Sequence, residues 1–532
     1  MPRPDTDIAD LDRQIGQLFM VGFYGLTPPD SLVELIQREQ VGGIILFSRN
    51  CQSASQVSRL THDLQAAARA AGHAQPLLIA TDQENGIVQR LGSAITNLPG
   101  GMALGAANAP DLTRAVAAAT GEELAALGIN MNLAPVADVN SNPANPVIGP
   151  RSFGQDPNRV AEETSAAVHG YQAAGVVATL KHFPGHGDTA VDSHLALPTL
   201  PHSRERLEQV ELIPFRAGFV AEAGALMLAH VTLPRLTGTE TLPATLSAAI
   251  VKLARQELGF SGVIMTDCLE MGAIAKGVGI ARGAVFALQA GADLILISHT
   301  VERQREAIAA ARAALASGEL PAATVRAALG RMAQFKRRFL AWDRLPAPVK
   351  AASVSAPAHQ ELRDRAYRHS TTLVRDEARL LPVNLPDDSR IAVIAYPPGH
   401  INQASDSVYP HTALVERVQS YHANTTGLLV GRDALSVGRA LAAAQAADLL
   451  MLVTLNARRD RRQARFIQRL IASGKPIIAI AASDPYDIAA FPGIATWLAT
   501  YEYTPAALAA AVDAIFGQFT PGGQLPITLP TK

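Results

Sequence analysis

The stretch VVATLKHFPGHGDTAVDSHLALP (residues 176–198) is where a largely apolar run of the chain passes into a polar loop. The run at 176–180 is typical of a strand buried on both faces, and the loop opens at Phe183-Pro184-Gly185. Catalytic groups often lie where a rigid strand passes into a loop. One histidine alone would more often be structural, but the stretch holds six candidate groups close together, which indicates a functional site: Lys181, His182, His186, Asp188, Asp192 and His194.

Similar short apolar runs alternate with helical patterns through the first 340 residues or so. The predicted strands are 17–23, 41–47, 77–82, 130–138, 177–183, 225–231, 262–267 and 292–298. The segments between them have apolar residues at three- and four-residue spacing, and several begin at Ser, Asp or Pro. Eight such units predict a (β/α)8 TIM-type barrel over residues 1–345, with a doubly wound open sheet as the structural alternative.

The remainder of the chain predicts a smaller α/β domain. Residues 346–388 are interpreted as a linker, rich in Pro and Ala, followed by a connecting helix. Residues 389–532 predict an α/β/α sandwich with a largely parallel sheet, whose strands are 390–396, 427–430, 448–455, 476–482, 495–501 and 524–529. No GxGxxG pattern follows the first of these strands, so a dinucleotide cofactor has no support there.

Composition excludes several classes of partner. Forty-six Lys and Arg against 47 Asp and Glu leave a net charge of -1, so bulk electrostatics would not hold a nucleic acid or a membrane surface. No apolar run has the length of a membrane span, and the N-terminus has no leader-like apolar segment. Cys51 and Cys268 are the only cysteines and are expected to be free thiols. A cytoplasmic protein is therefore the expectation.

Ionisable residues end five successive predicted strands. They are Asp82, Asp138, the pair Lys181-His182, His230 and Asp267. Active sites of such barrels lie at the carboxyl ends of the strands, so these side chains are expected to share one pocket.

The apolar run before Asp267 predicts a carboxylate held rigidly at a strand tip. Such a group suits a metal or an electron-poor carbon such as the anomeric carbon of a sugar. A retaining glycosidase needs this nucleophile and a proton donor for the leaving oxygen. His194 can donate a proton, and Asp192 can orient its ring and stabilise the charged form.

These motifs resemble those of family 3 glycoside hydrolases, specifically the β-N-acetylglucosaminidase branch. The resemblance is carried by VGGIILFSRN (41–50), TDQENGIVQRL (81–91), NMNLAPVADVNSNPANPVIGPRSFGQDP (130–157), KHFPGHGDTAVDSHLALP (181–198) and VIMTDCLEMGAI (263–274). It implies Asp267 as nucleophile and His194 as acid/base assisted by Asp192. The implied sugar-binding residues are Asp82, Arg90, Arg151, Lys181 and His182, and His230 is added as the residue that ends the sixth strand.

The resemblance predicts a retaining exo-β-N-acetylglucosaminidase that acts on peptidoglycan fragments or chito-oligosaccharides through a glycosyl-aspartate, without cofactor or metal. Two positions depart from the usual family pattern, which has glycine and arginine where this chain has Asn85 and Ile87. Asn tolerates left-handed backbone angles, whereas Ile87 removes a cation and bears on the leaving-group side and the natural substrate. Some family branches take their acid/base carboxylate from the second domain, but neither Glu416 nor Glu502 lies in a Gly-rich loop.

Three other functions remain open at this point. A metal-dependent hydrolase would draw its ligands from His182, His186, His194, Asp188 and Asp192, although their spacing matches no common metal motif. A non-catalytic sugar-binding protein is expected to have lost Asp267 or His194, and both are present. A phosphorylase is also consistent with the motifs, because an imidazole donor does not repel incoming phosphate as a carboxylate would.

Overall fold

The computed structural model describes residues 4–347, 354–397 and 412–530 and contains two β-sheets. The first sheet has eight parallel strands in the order β7-β6-β5-β4-β3-β2-β1-β8. Their bounds are β1 Phe19–Val21, β2 Gly43–Leu46, β3 Leu78–Thr81, β4 Met131–Asn132, β5 Val177–Phe183, β6 Ala225–Leu228, β7 Val263–Thr266 and β8 Ile295–Ile297. A parallel bridge between Met265 and Leu294 joins the two ends of this order. The predicted barrel is confirmed.

Helices surround the barrel strands. They are α1 Pro4–Gln14, α2 Asp30–Glu34, α3 Ala54–Ala70, α4 Gly101–Ala107, α5 Pro110–Ala126, α6 Pro157–Ala173, α7 Arg204–Gln209, α8 Leu212–Val220, α9 Pro234–Thr237, α10 Ala248–Lys252, α11 Gly272–Ala275, α12 Ile280–Ala290, α13 Val301–Ser317 and α14 Ala322–Phe339. Side-chain caps fix where two of these helices begin. Ser53 accepts from the amide of Gln56 at the start of α3, and Asp156 accepts from the amides of Asn158 and Arg159 at the start of α6. None of the helices in the described ranges is long and apolar enough to cross a membrane.

The second sheet has six strands in the order β11-β10-β12-β13-β14-β9. Their bounds are β9 Thr372–Asp376, β10 Ile391–Ala395, β11 Thr425–Leu429, β12 Leu449–Thr454, β13 Ile477–Ala481 and β14 Thr496–Ala499. The helices of this region are α15 Pro357–Ser370, α16 Thr412–Gln419, α17 Ala434–Ala446, α18 Arg461–Ala472, α19 Asp487–Ala490 and α20 Pro505–Ile515. Buried apolar clusters lie on both faces of the sheet, which gives the predicted α/β/α layers.

The strands assigned from the sequence to the second sheet differ from those observed at its edge. Strand β9 lies within 346–388, the predicted linking segment, and pairs antiparallel with β14. Residues 348–353 of that segment lie outside the described residues. The predicted strand at 524–529 is absent from the described sheet. Proline lacks an amide donor for a sheet ladder, and here the carbonyl of Pro526 accepts from the amide of Gln155 (3.0 Å), so the segment contacts the barrel side.

The barrel and the second sheet share a continuous interface. Met102 and Ala103 of α4 belong to the same apolar cluster as Trp497 of β14. Polar contacts flank this cluster: Glu502 accepts from the amide of Gly100 (3.3 Å), and Tyr486 Oη accepts from Asn140 (3.2 Å). Burial raises the pKa of Glu502 to about 8. Glu502 is therefore a buried residue of the interface between the two sheets.

Candidate active site

The carboxyl ends of the barrel strands surround a cavity of about 240 Å³. This is below the roughly 300–1,000 Å³ of pockets for drug-sized ligands, so the cavity suits a single sugar ring. Seven of the nine predicted site residues line it: Asp82, Arg90, Arg151, Lys181, His182, His194 and Asp267. The other two, Asp192 and His230, lie next to lining residues.

Asp267 follows β7 directly, and the strand holds it at the mouth of the barrel. Its backbone amide donates to the carbonyl of Leu228 (3.2 Å), and its Oδ1 accepts from the amide of Cys268 (2.7 Å). Burial opposes ionisation of this carboxyl. The imidazoles of His230, His182 and His194 and the amide of Cys268 outweigh burial and lower the pKa of Asp267 below its ordinary value. The group is therefore a carboxylate near neutral pH, as a nucleophile requires.

His194 reaches the same cavity from the loop after β5. Asp192 Oδ1 accepts from the backbone amide of His194 (2.9 Å) and lies 2.8 Å from its Nδ1. An ionised carboxylate only accepts, so Nδ1 carries the proton towards Asp192. Nε2 has no partner among the described residues. Burial opposes ionisation of Asp192, but the hydrogen bonds from His194 outweigh it and lower the pKa of Asp192. The predicted Asp–His pair is thus formed, with Nε2 available to a ligand.

Backbone contacts hold the His194 loop against the segment after Asp267. The amide of Gly272 donates to the carbonyl of His194 (3.2 Å), and the amide of Ala273 donates to that of Ser193 (3.3 Å). A Cβ at position 272 would lie 2.7 Å from the His194 carbonyl oxygen, so this approach requires glycine. The loop that carries His194 and the segment that carries Asp267 are therefore fixed relative to each other.

His186 supports the loop from inside. Its Nδ1 lies 2.8 Å from Thr189 Oγ1 and its Nε2 lies 2.9 Å from Ser193 Oγ. Burial, together with the neighbouring His182, lowers the pKa of His186 to about 4. A neutral imidazole has one donor and one acceptor nitrogen, which suits these two hydroxyls.

A network of largely buried charges also lines the cavity. Lys181 Nζ lies 2.7 Å from Asp82 Oδ1 and 2.6 Å from Glu84 Oε1. Arg151 contacts both oxygens of Glu84, at 2.8 and 2.7 Å. Arg90 lies farther from Asp82, at 3.7 Å. The network fixes cationic donors and a carboxylate on one wall, an arrangement suited to sugar hydroxyls.

Glu84 is the residue that sequence reasoning missed. Its side chain is only 5% exposed and joins two predicted sugar-binding cations, Lys181 and Arg151. The opposing effect of burial is outweighed by Arg151 and Lys181, and the pKa of Glu84 falls far below its ordinary value. The signal was its position two residues after Asp82, in the same post-strand segment.

Asp138 organises the predicted ligand His182. Its carboxylate lies 2.7 Å from His182 Nδ1 and accepts from the amide of His186 (2.6 Å). The ring of His182 is thereby oriented with Nε2 at 3.4 Å from Arg151 Nη2, on the cavity side. Asp138 is completely buried, so it contributes to the site through His182.

The substrate-binding role predicted for His230 is not supported. Its side chain is fully buried, Nδ1 lies 2.7 Å from Thr245 Oγ1, and Nε2 lies 2.9 Å from the carbonyl of Cys268. Both ring nitrogens are therefore occupied within the protein. His230 instead holds the backbone beside Asp267, because strand-end position alone does not decide whether a side chain faces the cavity or the core.

The two departures in the 81–91 motif have simple structural roles. Asn85 has a φ of 69°, in the left-handed region that asparagine tolerates, and its side chain donates to Thr120 Oγ1 (2.9 Å). Ile87 is buried and packs with Val88. The substitution by isoleucine therefore leaves an apolar contact at that position.

The comparisons with known proteins agree with this geometry. Residues 10–335 match the glycosyl hydrolase family 3 N-terminal domain, and residues 371–532 match the family 3 C-terminal domain. The chain belongs to glycosyl hydrolase family 3. This confirms the resemblance drawn from the motifs and makes the protein a glycoside hydrolase by family, with the two-domain fold of that family.

Some relatives of this chain match nearly its full length, and others match about two thirds of it. Beta-hexosaminidase A of Pseudoalteromonas piscicida is 31% identical and covers 94% of this chain and 92% of its own length. A beta-hexosaminidase of Xylella fastidiosa strain M23 is 35% identical over 64% of this chain and 97% of its own length. A solved family 3 beta-N-acetylglucosaminidase from Paenibacillus sp. strain FPU-7 has 41% identity and a TM-score of 0.92, covering 98% of this chain and 99% of that one.

Three of the five ligands predicted for a metal-dependent hydrolase have partners within the protein. His182 pairs with Asp138, His186 contacts two hydroxyls, and Asp188 lies 3.1 Å from His202. Within the described ranges, one group of three has ligand atoms close enough for a metal, Cys268, Glu270 and His299, and it shares no residue with the predicted set. Both oxygens of Glu270 already accept from backbone amides, at His299 (2.6 Å) and Thr300 (3.2 Å).

Glu84→Gln tests the charge network. The change removes a carboxylate that both Arg151 and Lys181 contact, and breaking a buried ion pair typically costs about 3–5 kcal/mol. We expect a lower midpoint in the first calorimetric unfolding transition and a rise of roughly tenfold or more in KM, since tenfold corresponds to about 1.4 kcal/mol.

Glu122→Gln is the matched control for this change. Glu122 is 61% exposed and pairs with His359 at the surface, where ion pairs contribute about 0–1 kcal/mol. Equal unfolding midpoints and equal KM values in the two variants would contradict an organising role for Glu84.

Proposed function

We propose that the protein is a retaining exo-β-N-acetylglucosaminidase. It removes terminal β-linked N-acetylglucosamine from peptidoglycan fragments or chito-oligosaccharides. The observation that carries this proposal is the convergence of Asp267 and the Asp192–His194 pair on one cavity of about 240 Å³, a size that suits a single sugar ring. The names of the family 3 relatives support the choice of the N-acetylhexosamine class.

The first step forms a covalent glycosyl-aspartate. An oxygen of Asp267 attacks the anomeric carbon from the α face while the bond to the leaving oxygen breaks. His194 donates the proton on Nε2 to that oxygen, and Asp192 stabilises the ring during the transfer. The charge network positions the sugar through Asp82, Arg90, Arg151, Lys181 and His182.

The second step returns the enzyme to its starting state. A water molecule attacks the anomeric carbon from the β face, His194 accepts its proton, and the bond to Asp267 breaks. Two inversions give net retention. The chemical groups in this scheme all come from the barrel, which agrees with a named relative that spans only 64% of this chain.

The stereochemistry of the product tests the proposal. Proton NMR during hydrolysis of an aryl N-acetyl-β-glucosaminide is expected to show the β-anomer of N-acetylglucosamine first, with the α-anomer appearing later by mutarotation. Activity should persist in the presence of a chelator. An α-anomer as first product, or loss of activity with chelator, would overturn the mechanism. The same reaction in phosphate buffer should give no sugar 1-phosphate, and its accumulation would identify a phosphorylase.

A further inference from the structure

The second sheet has a ligand crevice of its own. Strand β10, next to the edge strand β11, has β12 on its other side, and β13 and β14 continue from β12. In open parallel sheets, ligands bind outside the carboxyl ends of the strands where the strand order reverses. A cavity of about 670 Å³ lies at this point. It is lined by Tyr396 after β10, Arg432 after β11 and Asn456 after β12, and none of its described lining residues lines the barrel cavity.

The floor of this crevice is apolar and aromatic. Val437, Leu455 and Phe466 line it, and the ring of Tyr396 meets that of Phe466 edge to face at 6.2 Å. The Tyr396 hydroxyl is buried and has no hydrogen-bond partner in the part of the chain that the structure describes. The floor therefore offers an apolar surface and, at the Tyr396 hydroxyl, an unused polar group.

The rim of the crevice carries a concentration of positive charge. Its arginines are Arg432, Arg459, Arg462, Arg465 and Arg469. Among the described residues, the single acidic one in the lining is Asp460, whose Oδ1 caps α18 by accepting from the amides of Arg462 and Gln463. Arg459 pairs with Asp484 at 3.5 Å, whereas the other four arginines have no ion pair within residues 4–347, 354–397 and 412–530.

The arginines of α18 share one face of the helix. Positions 462, 465 and 469 have the three- and four-residue spacing of helix neighbours, where like charges repel. The chain as a whole has a net charge of -1, so this cluster is a local feature. An anionic ligand would relieve the repulsion, and guanidinium groups match the geometry of phosphate oxygens.

We propose that the arginine crevice (Arg432, Arg462, Arg465 and Arg469 above Tyr396, Leu455 and Phe466) binds a small phosphorylated organic molecule. The phosphate lies among the guanidinium groups and the organic part lies on the apolar floor. The volume falls in the roughly 300–1,000 Å³ range of small-ligand pockets. The net charge of -1 disfavours a nucleic-acid strand as the occupant.

Isothermal titration calorimetry of the full chain with ADP and with glucose 6-phosphate tests this site. The comparison ligands are adenosine, glucose and inorganic phosphate. We expect at least one phosphorylated probe to bind more tightly than its unphosphorylated partner and than inorganic phosphate. Added salt should weaken that binding. Stronger binding of ADP would indicate a nucleotide, and stronger binding of glucose 6-phosphate a sugar phosphate.

Arg462→Ala/Arg465→Ala removes two rim charges and leaves Arg459, which contacts the barrel loop at Asn145, intact. The matched control is Arg439→Ala/Arg461→Ala, which removes two exposed arginines that do not line the crevice. The crevice variant should lose about tenfold or more in affinity, given about 1.5–3 kcal/mol for a charge-assisted hydrogen bond. The control should stay within about twofold of the wild type, and both variants should hydrolyse glycosides at wild-type rates.

Three results would overturn the proposal. The first is that neither probe binds at concentrations up to about 10 mM, the weak end of measurable affinity. The second is that inorganic phosphate binds as tightly as the organic phosphates. The third is an equal loss of affinity in the crevice and control variants. None of these results bears on the glycosidase proposal, because no residue in the described part of the chain lines both the crevice and the barrel cavity.

Discussion

Replacing Asp267 by alanine is expected to reduce turnover by roughly 10⁴-fold to 10⁶-fold, the range seen when one member of a covalent catalytic unit is removed. Without this carboxylate no glycosyl-enzyme forms, so the loss should be similar for activated aryl glycosides and for a natural disaccharide. The structure supports this expectation because Asp267 is held at the tip of β7 and its pKa is lowered. The measurement is kcat/KM for both substrates.

Asp267→Asn separates chemistry from packing. Asparagine keeps the shape of the side chain and an oxygen that accepts from the amide of Cys268, so folding should be preserved. Turnover within tenfold of the wild type in this variant would rule out Asp267 as nucleophile. Azide offers a positive test in Asp267→Ala. It should enter the space left by the carboxylate, attack from the α face and give the α-glycosyl azide.

The effect of His194→Ala is expected to depend on the leaving group. A sugar alcohol must be protonated as it departs, whereas a dinitrophenyl group leaves as a stabilised anion. General acid catalysis typically contributes about 10²-fold to 10⁴-fold, so kcat/KM for chitobiose should fall by that amount. The value for the dinitrophenyl glycoside, which reports formation of the glycosyl-enzyme, should change far less. Its kcat should still fall, because the second step loses its base.

Asp192→Asn is the companion variant. The imidazole of His194 is retained, but the oxygen that faces its Nδ1 no longer carries a charge. Its kcat/KM for chitobiose should lie between those of the wild type and His194→Ala. Equal losses for both leaving groups in His194→Ala would assign His194 to substrate binding. The search for the acid would then move to the second domain.

Much of the fold was predictable because the pattern is local. Strands of a parallel barrel are buried on both faces and are therefore read as apolar runs, as at β5 and β7. The edge strand β9 lacks this signal. β9 is mostly accessible, so its residues do not form an apolar run and it was assigned to the linking segment. The 524–529 run was read as a strand because its contact with Gln155 is remote in sequence.

The sequence by itself determined the barrel, the family and the chemical groups at the strand ends, including Asp267, Lys181 and the Asp192–His194 pair. Each of these features depends on the spacing of residues within one local segment, and that spacing can be read directly from the sequence. Only the tertiary structure decided the partners of those groups. A register irregularity after Leu180 in β5 lets the adjacent side chains of Lys181 and His182 line the same cavity, although neighbours in a regular strand point to opposite faces.

Contacts between residues far apart in the sequence also explain why the role of Glu84 was missed and that of His230 was misassigned. Glu84 is central because Arg151 and Lys181, which are 67 and 97 residues away in the sequence, meet it in the folded barrel. His230 does not act as a wall residue of the cavity, because Thr245 and the carbonyl of Cys268 occupy its ring nitrogens. Burial makes each of these pairings strong, since an unpaired charge or polar atom in the interior is costly. Such pairings are properties of the packed structure, and a linear motif does not contain them.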